Sequence, residues 1–314
     1  MYVQAGCHIQ NNCHWNPLDA PLGFVVIDKP SGLTSHACVS RMRRVLQTRR
    51  VGHGGTLDPA VTGVLPIAVG QATRLLPYLP GEKTYRGVIQ LGTSTSTDDL
   101  QGEVVAVQDW PHLSLEEMDR AFNPFRGTIE QCPPQVSAVH VNGERAHARA
   151  RRGEVMDLPA RPVTIHSLSL EHWDFEQGKL TLEVHCSAGT YIRSLARDLG
   201  QALGCGGCLD WLRRTQALGF VEAHAIALPV HPNEQSGPSV EPLTLIPPQL
   251  ALKHLPSRTL SELERDDWSC GRTIPHQNGD GPTVVLSEDN IMLGIGLANS
   301  EAQLRPKVVF EARG

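Results

Sequence analysis

Six prolines fall between Pro229 and Pro248, and this run constrains the chain more than any other feature. Proline fixes φ and removes a backbone donor, so neither a helix interior nor a central strand can pass through it. The chain is therefore predicted to divide into a large unit over residues 21–228 and a small one over 249–314. Residues 229–248 are the linker between them. A length of 314 residues suits that division, since one domain commonly takes about 100–200 residues. Residues 1–20 contain Cys7, His8, Cys13 and His14 but lack the basic start and apolar middle of a secretory signal, and are expected to be a disordered extension. With no long uncharged apolar run to suggest a membrane helix, a cytoplasmic protein is expected.

Patterning within the large unit predicts an α+β fold. Gly23–Asp28 is a short apolar run rich in branched residues and reads as a buried strand. Thr34 or Ser35 can cap a helix with Cys38, Met42, Val45 and Leu46 at helical spacing. Glycines at 52, 54, 55 and 63 and prolines at 59 and 66 then argue against regular helix until Gln71–Leu79. Thr84–Leu91 reads as a strand, and Ser114 with Glu117 forms a capping box. Ser137–Val141 is predicted to be a strand ending at the Asn142-Gly143 turn, with an Arg-rich helix or loop running on to Gly153. Lys179–Cys186 alternates like a half-buried strand and leads into a helix marked by Ile192, Leu195, Ala196, Leu199 and Leu203, stopped by Gly204. Tyr191 and Arg193 would then stand at a strand-to-helix corner. Beyond the linker, Thr283–Leu286, Ile291–Leu297 and Lys307–Glu311 read as strands of a small β module.

The formal charge of −5 at first argues against a nucleic-acid partner, but its distribution reverses that. Residues 21–230 carry 21 Lys plus Arg against 21 Asp plus Glu, whereas residues 241–314 carry 7 against 10. Within the neutral region the arginines cluster. Arg41, Arg43, Arg44, Arg49 and Arg50 form one group, and Arg145, Arg149, Arg151 and Arg152 another. Such clusters suit phosphates as well as they suit a solvated helix face. The eight cysteines are too sparse for a disulfide scaffold. Cys205 and Cys208 have CxxC spacing without a second pair, so inert thiols and no bound metal are expected.

Walker, Rossmann, HExxH and GxSxG patterns are absent. The informative stretch is Val51–Gly70, VGHGGTLDPAVTGVLPIAVG. It is a glycine-rich loop presenting His53 and Asp58, with Pro59 fixing the following backbone angle. On spacing alone, Asp58-Pro59 is more simply a turn.

The longer context changes that reading. GHGGTLDPAVTGVLP resembles the central motif of TruB-type pseudouridine synthases. DKPSGLTSH (Asp28–His36), KTYR (Lys83–Arg86), CSAGTYIRSLARDLG (Cys186–Gly200) and LGCGGCLDWLRRTQALGF (Leu203–Phe220) are similar to that family's other motifs, in order. The resemblance implies a mixed, mostly antiparallel central sheet flanked by helices, with a small PUA-like β domain at the C-terminus. It implies that Asp58 is the nucleophile and Arg193 its two-point partner. Tyr85 would stack on the uracil, Tyr191 lie near the reacting ring and Leu212 close the pocket. Lys29 and Pro30 sit at the heart of the first motif and are assigned to substrate binding. His53 would help displace the target base. Gln131–Arg161 is similar to an insertion that clasps RNA, where Arg145, Arg149, Arg151 and Arg152 would meet phosphates. The implied substrate is uridine 55 in the T arm of tRNA, extruded from its loop, acted on by a monomer with no cofactor, metal or guide RNA.

One motif departs from the pattern. Where the family often has Arg-Thr-Asp-Thr-x-Asp, this chain has Ser94-Thr95-Ser96-Thr97-Asp98-Asp99, which removes an arginine and the first aspartate. Two other functions compete: a guide-dependent enzyme acting on ribosomal RNA, and a non-catalytic tRNA chaperone.

Overall fold

A computed structural model describes residues 21–137, 139–141, 143–150, 152–230, 243–277 and 279–310. The N-terminal extension, residues 231–242 of the proline-rich linker, and Arg151 lie outside the described residues.

The large unit opens with β1 (Gly23–Lys29), α1 (Ser35–Val45), β2 (Val51–His53) and β3 (Thr62–Val69). Next come β4 (Lys83–Leu91), the small hairpin β5 (Thr93–Thr95) and β6 (Val104–Val107), α2 (Leu115–Ala121) and β7 (Gly127–Gln131). A second small hairpin, β8 (His140–Val141) and β9 (Glu144–Arg145), precedes α3 (Ala146–Ala150). The long strands β10 (Arg161–Asp174) and β11 (Lys179–Cys186) lead into α4 (Ile192–Ala202), β12 (Gly207–Ala217), β13 (Phe220–Val221) and β14 (Ala225–Ala227). Ten of these strands form one sheet in the order β14-β1-β3-β12-β4-β11-β10-β7, with β2 paired to β3 and β13 to β12. Pairings are antiparallel except β1–β14 and β12–β3. The mixed, mostly antiparallel sheet is as expected.

Strand β1 shows how the sequence builds this sheet. Its side chains alternate between faces, and both faces are covered. Val25 and Ile27 pack with Cys38, Val39 and Met42 of α1 and with Leu195 and Leu199 of α4. Phe24 and Val26 pack into a second core on the other face. A strand buried on both sides reads as a continuous apolar run. Thr34 caps α1 by accepting from Ala37 N at 3.0 Å.

Two expectations need correction. The stretch after His53 contains a central strand, β3, despite Gly63 and Pro66. On one side β3 meets β1 from Gly63 to Val69; on the other it meets β12 at Thr62–Gly63 and β2 at Ile67–Val69. Pro66 sits between those two partners, where its missing N–H leaves no ladder bond unmade, while its carbonyl accepts from Gly54 N at 2.8 Å. The helix expected at Gln71–Leu79 is a 3₁₀ segment, Gly70–Tyr78, with Pro77 near its end.

The small unit comprises α5 (Pro248–Ala251), β15 (Ser257–Thr259), α6 (Glu262–Ser269), β16 (Ile274–Pro275), β17 (Gly281–Leu286), β18 (Met292–Asn299) and β19 (Gln303–Val309). Its five strands run β15-β17-β18-β19-β16. The last strand begins four residues earlier than the apolar pattern suggests. Pro306 is accommodated beside a register shift at Ile295/Gly296 of β18. Val284, Ile295 and Val308 of this sheet share one core with Phe24, Val26, Ala72 and Leu75 of the large unit.

Candidate active site

The loop between β2 and β3 carries Asp58, and the segment Asp28–His36 holds that loop in place. Lys29 has no exposed surface, and its ammonium donates to the carbonyls of Pro30 (2.9 Å), Leu33 (2.6 Å) and Pro59 (3.0 Å). Gly32 N donates to the same Pro59 carbonyl. The buried hydroxyl of Ser35 accepts from Leu57 N at 2.8 Å and lies 3.2 Å from Leu57 O. Three residues of one motif thus grip the residues flanking Asp58, and Lys29 faces two carbonyls of its own motif and that of Pro59. Pro30 is exposed.

Asp58 is left half-exposed, with Arg193 Nη2 at 3.0 Å from its Oδ2. Arg193 is buried near the start of α4. The contact is a single one, not the two-point clamp expected. The rest of the guanidinium is engaged elsewhere: Nη1 donates to Thr97 O at 3.0 Å, Nη2 also to Val136 O at 2.9 Å, and Nε lies 3.7 Å from Asp99. Asp99 therefore joins the network, as the departing motif allowed.

Tyr85 and Tyr191 complete the cluster. Tyr85 on β4 is buried, and burial pushes its phenol pKa up. Tyr191 immediately precedes α4, and its pKa is also raised, mainly by burial, with Ser137 beside the hydroxyl. Its backbone is locked by the buried side chain of Gln131, which accepts from Tyr191 N at 2.8 Å and donates to its carbonyl at 3.1 Å. Leu212 on β12 packs against Gly87 of β4, where any Cβ would approach Leu212 Cδ1 to 2.9 Å. His53 has its pKa lowered by desolvation, then by the Arg214 and His36 charges, so its imidazole is neutral at pH 7.

Sequence reasoning missed Gln131 and Arg214. Arg214 is two residues beyond Leu212, so strand alternation turns it to the same face; that periodicity could have found it. It is directly opposite Tyr85 in the β12–β4 ladder. Nε donates to Val64 O at 2.8 Å and Nη2 to Gly55 O at 3.1 Å, tying β12 to both ends of the Asp58 loop. Gly63 permits the close approach, since a Cβ there would lie 2.2 Å from Arg214 O. The intervening Arg213 points the other way, onto both oxygens of Asp28 at 3.0 Å.

Among the described arginines of the insertion, Arg149 and Arg152 pair with glutamates of the same segment. Arg152 binds both oxygens of Glu144 at 2.6 and 2.8 Å and also reaches Glu154, which Arg149 contacts at 2.7 Å. Arg145 belongs to β9. Cys205 and Cys208 are buried, and burial pushes the Cys208 thiol up to about 11. Among the described residues no group of three or more His, Cys, Asp or Glu side chains is arranged to hold a metal, and no helix is long and apolar enough to cross a membrane.

A half-exposed carboxylate held by a buried arginine, with two tyrosines at hand, defines a site for nucleophilic or acid–base chemistry on a mixed sheet. The same fold occurs in solved structures. A chain of a Cbf5-Nop10-Gar1 complex matches with a TM-score of 0.68 at 24% identity, over 93% of this chain and 86% of that one. A chain of an H/ACA RNP bound to a substrate RNA containing 2'-deoxyuridine matches with a TM-score of 0.66 at 22% identity, over 92% and 85%.

Sequence comparison is more specific. Residues 43–192 match the TruB family pseudouridylate synthase N-terminal domain. The tRNA pseudouridine synthase B of Synechococcus sp. (strain CC9311) is 96% identical over 297 residues, covering 95% of this chain and all of that protein. The protein of the same name from Prochlorococcus marinus (strain MIT 9313) is 53% identical, again over 95% of this chain and all of the relative. The chain belongs to the TruB family of pseudouridylate synthases.

Proposed function

We propose that this chain converts uridine 55 in the T loop of tRNA to pseudouridine, without a guide RNA, on a base extruded from its loop. The observation that carries the reading is the Asp58–Arg193 contact at 3.0 Å, at a carboxylate left half-exposed by an otherwise tightly held loop. The names of the relatives, tRNA pseudouridine synthase B, support tRNA as the substrate.

The reaction is an isomerisation. The bond from the sugar to N1 of uracil breaks, the base turns, and a bond forms from the same sugar carbon to C5. The proton on C5 leaves, and N1 ends protonated, so no electrons are exchanged with a cofactor. Asp58 acts as nucleophile and must be ionised; the adjacent guanidinium favours that form and aims it. Tyr85 stacks on the extruded uracil. Tyr191 and Leu212 confine the ring so that the detached base rotates without escaping. His53, neutral and at the end of β2 where the Asp58 loop begins, occupies the space the base vacates. Arg145, Arg149, Arg151 and Arg152 meet phosphates of the T arm, and the C-terminal sheet acts as a PUA-like RNA-binding module.

The test is tritium release from a tRNA transcript labelled at C5 of uridine, with no guide RNA present. Release accompanied by pseudouridine at position 55 is expected. Binding without release would support a chaperone instead, and release only upon adding a guide would support the guide-dependent reading.

A further inference from the structure

Arg193 and Arg197 stand about one turn apart on α4, and both bridge the same two loops. Arg193 donates to the carbonyls of Thr97 and Val136. Arg197 Nη1 reaches Asp98 Oδ2 at 2.9 Å, and its Nη2 donates to Cys132 O at 2.9 Å, while Nε binds Asp198 at 2.8 Å. Each loop is thus bonded by both arginines, once beside Asp58 and once about a turn further along the helix, and Ser194 Oγ also donates to Cys132 O at 2.8 Å.

The backbone of the loop around Asp98 is tied to β12, with Leu209 N donating to Asp98 O and Leu100 N to Leu209 O, both at 3.0 Å, and Arg197 adds the link from this loop to α4. Asp98 has φ +60°, a left-handed conformation that Asp and Asn tolerate better than most side chains. That turn presents Thr97 O and Asp99 to Arg193, and the hydroxyls of Thr97 and Thr95 bond Asp99 at 2.6 and 2.7 Å. Ser94 and Ser96 on the same segment are uncharged and form no ion pair. The Asp98 side chain is 14% exposed and that of Arg197 29%. A pair so shielded couples more strongly than one in open solvent.

We infer that Asp98 and Arg197 are positioning residues of the reaction: they fix both loops that Arg193 bonds, and so set where Arg193 meets Asp58. This rests on the reading of Asp58 as the nucleophile. Neither residue touches the substrate in this scheme.

The experiment compares full-length Asp98→Asn, Arg197→Met and the double variant with the parent and with Asp58→Asn. It measures kcat, KM for tRNA transcript, and the thermal midpoint. Each single variant should lower kcat about tenfold or more while KM stays within about threefold, because a small misplacement of reacting groups acts on chemistry before binding. The double should be no worse than Arg197→Met alone, because that substitution already removes the contact that Asp98→Asn weakens. A folded Arg197→Met enzyme with kcat within about twofold of the parent, a loss confined to KM, or additive losses would each overturn the inference. Asp98→Asn keeps size and tolerates the left-handed turn, so it decides the matter if Arg197→Met does not fold. Full activity in Asp58→Asn would overturn the nucleophile assignment itself, whereas an inactive Asp58→Asn beside a fully active Asp98→Asn would overturn the positioning role alone.

Discussion

Burying a guanidinium without a carboxylate beside it costs several kcal/mol unless its donors are met. Arg214 is fully buried, and among the described residues no carboxylate lies within ion-pair distance; two carbonyls accept from Nε and Nη2, Tyr85 lies beside it, and burial, then its charge, lowers the pKa values of the nearby Lys83 and His53. Its placement ties the Asp58 loop to the strand opposite Tyr85. Arg214→Lys should therefore lower kcat by at least about tenfold, since Val64 O and Gly55 O are met by two separate nitrogens of the planar guanidinium fork, a geometry that one ammonium nitrogen does not reproduce. Steady-state kinetics within threefold of the parent would remove Arg214 from the machinery. Arg193→Lys is expected to be more severe, about a hundredfold or more in kcat. The reason differs from a two-point clamp on Asp58. Arg193 holds Thr97, Val136 and Asp58 at once, and a lysine keeps one of these at best. A nearly unchanged turnover number in that variant would contradict the assigned contact.

Short apolar runs with clear caps were legible at the level of elements. The strand at Gly23, the helix capped by Thr34 and the helix after Tyr191 lie where local pattern puts them. Strand β3 was not, because Gly63 and Pro66 are strand-breakers locally and only the switch of partners from β12 to β2 excuses them. The motifs named Asp58, Arg193, Tyr85 and Tyr191, which lie near one another. Gln131, Arg214 and the Asp98–Arg197 pair stayed hidden, since each acts across 60 or more residues of sequence. The insertion proposed to clasp RNA adds something the sequence did not suggest: Glu144 and Glu154 neutralise Arg152 and Arg149 within the element. If these arginines meet phosphates, RNA must displace the two glutamates. A Glu144→Gln/Glu154→Gln variant should then bind tRNA more tightly than the parent at low salt. Its affinity should also fall more steeply with salt, by up to about one or two units of log–log slope. Identical affinity and slope across a salt titration would return the arginines to a solvated surface.

Across the whole molecule, the two sheets do not behave as beads on a string. Phe24, Val26 and Leu75 of the large unit and Val284, Ile295 and Val308 of the small one form one buried cluster. Gln71 and Arg74 bond the carbonyls of Phe310 and Val309 at 2.8 and 2.9 Å, and Phe24 exchanges both backbone bonds with Ile246. Unfolding should be one transition by calorimetry, and Phe24→Ala should lower its stability by about 3–5 kcal/mol without splitting it. Two separated transitions in the parent would show that the small unit folds by itself. What the shared core supports is a rigid sheet against which one loop holds one carboxylate. The most direct measurement is therefore the single-turnover rate of Asp58→Asn on saturating, unmodified tRNA transcript, with binding measured alongside. The amide keeps the shape and removes the nucleophile, so the rate should fall at least about a thousandfold while affinity stays within about threefold. A rate within tenfold of the parent would contradict Asp58 as the nucleophile.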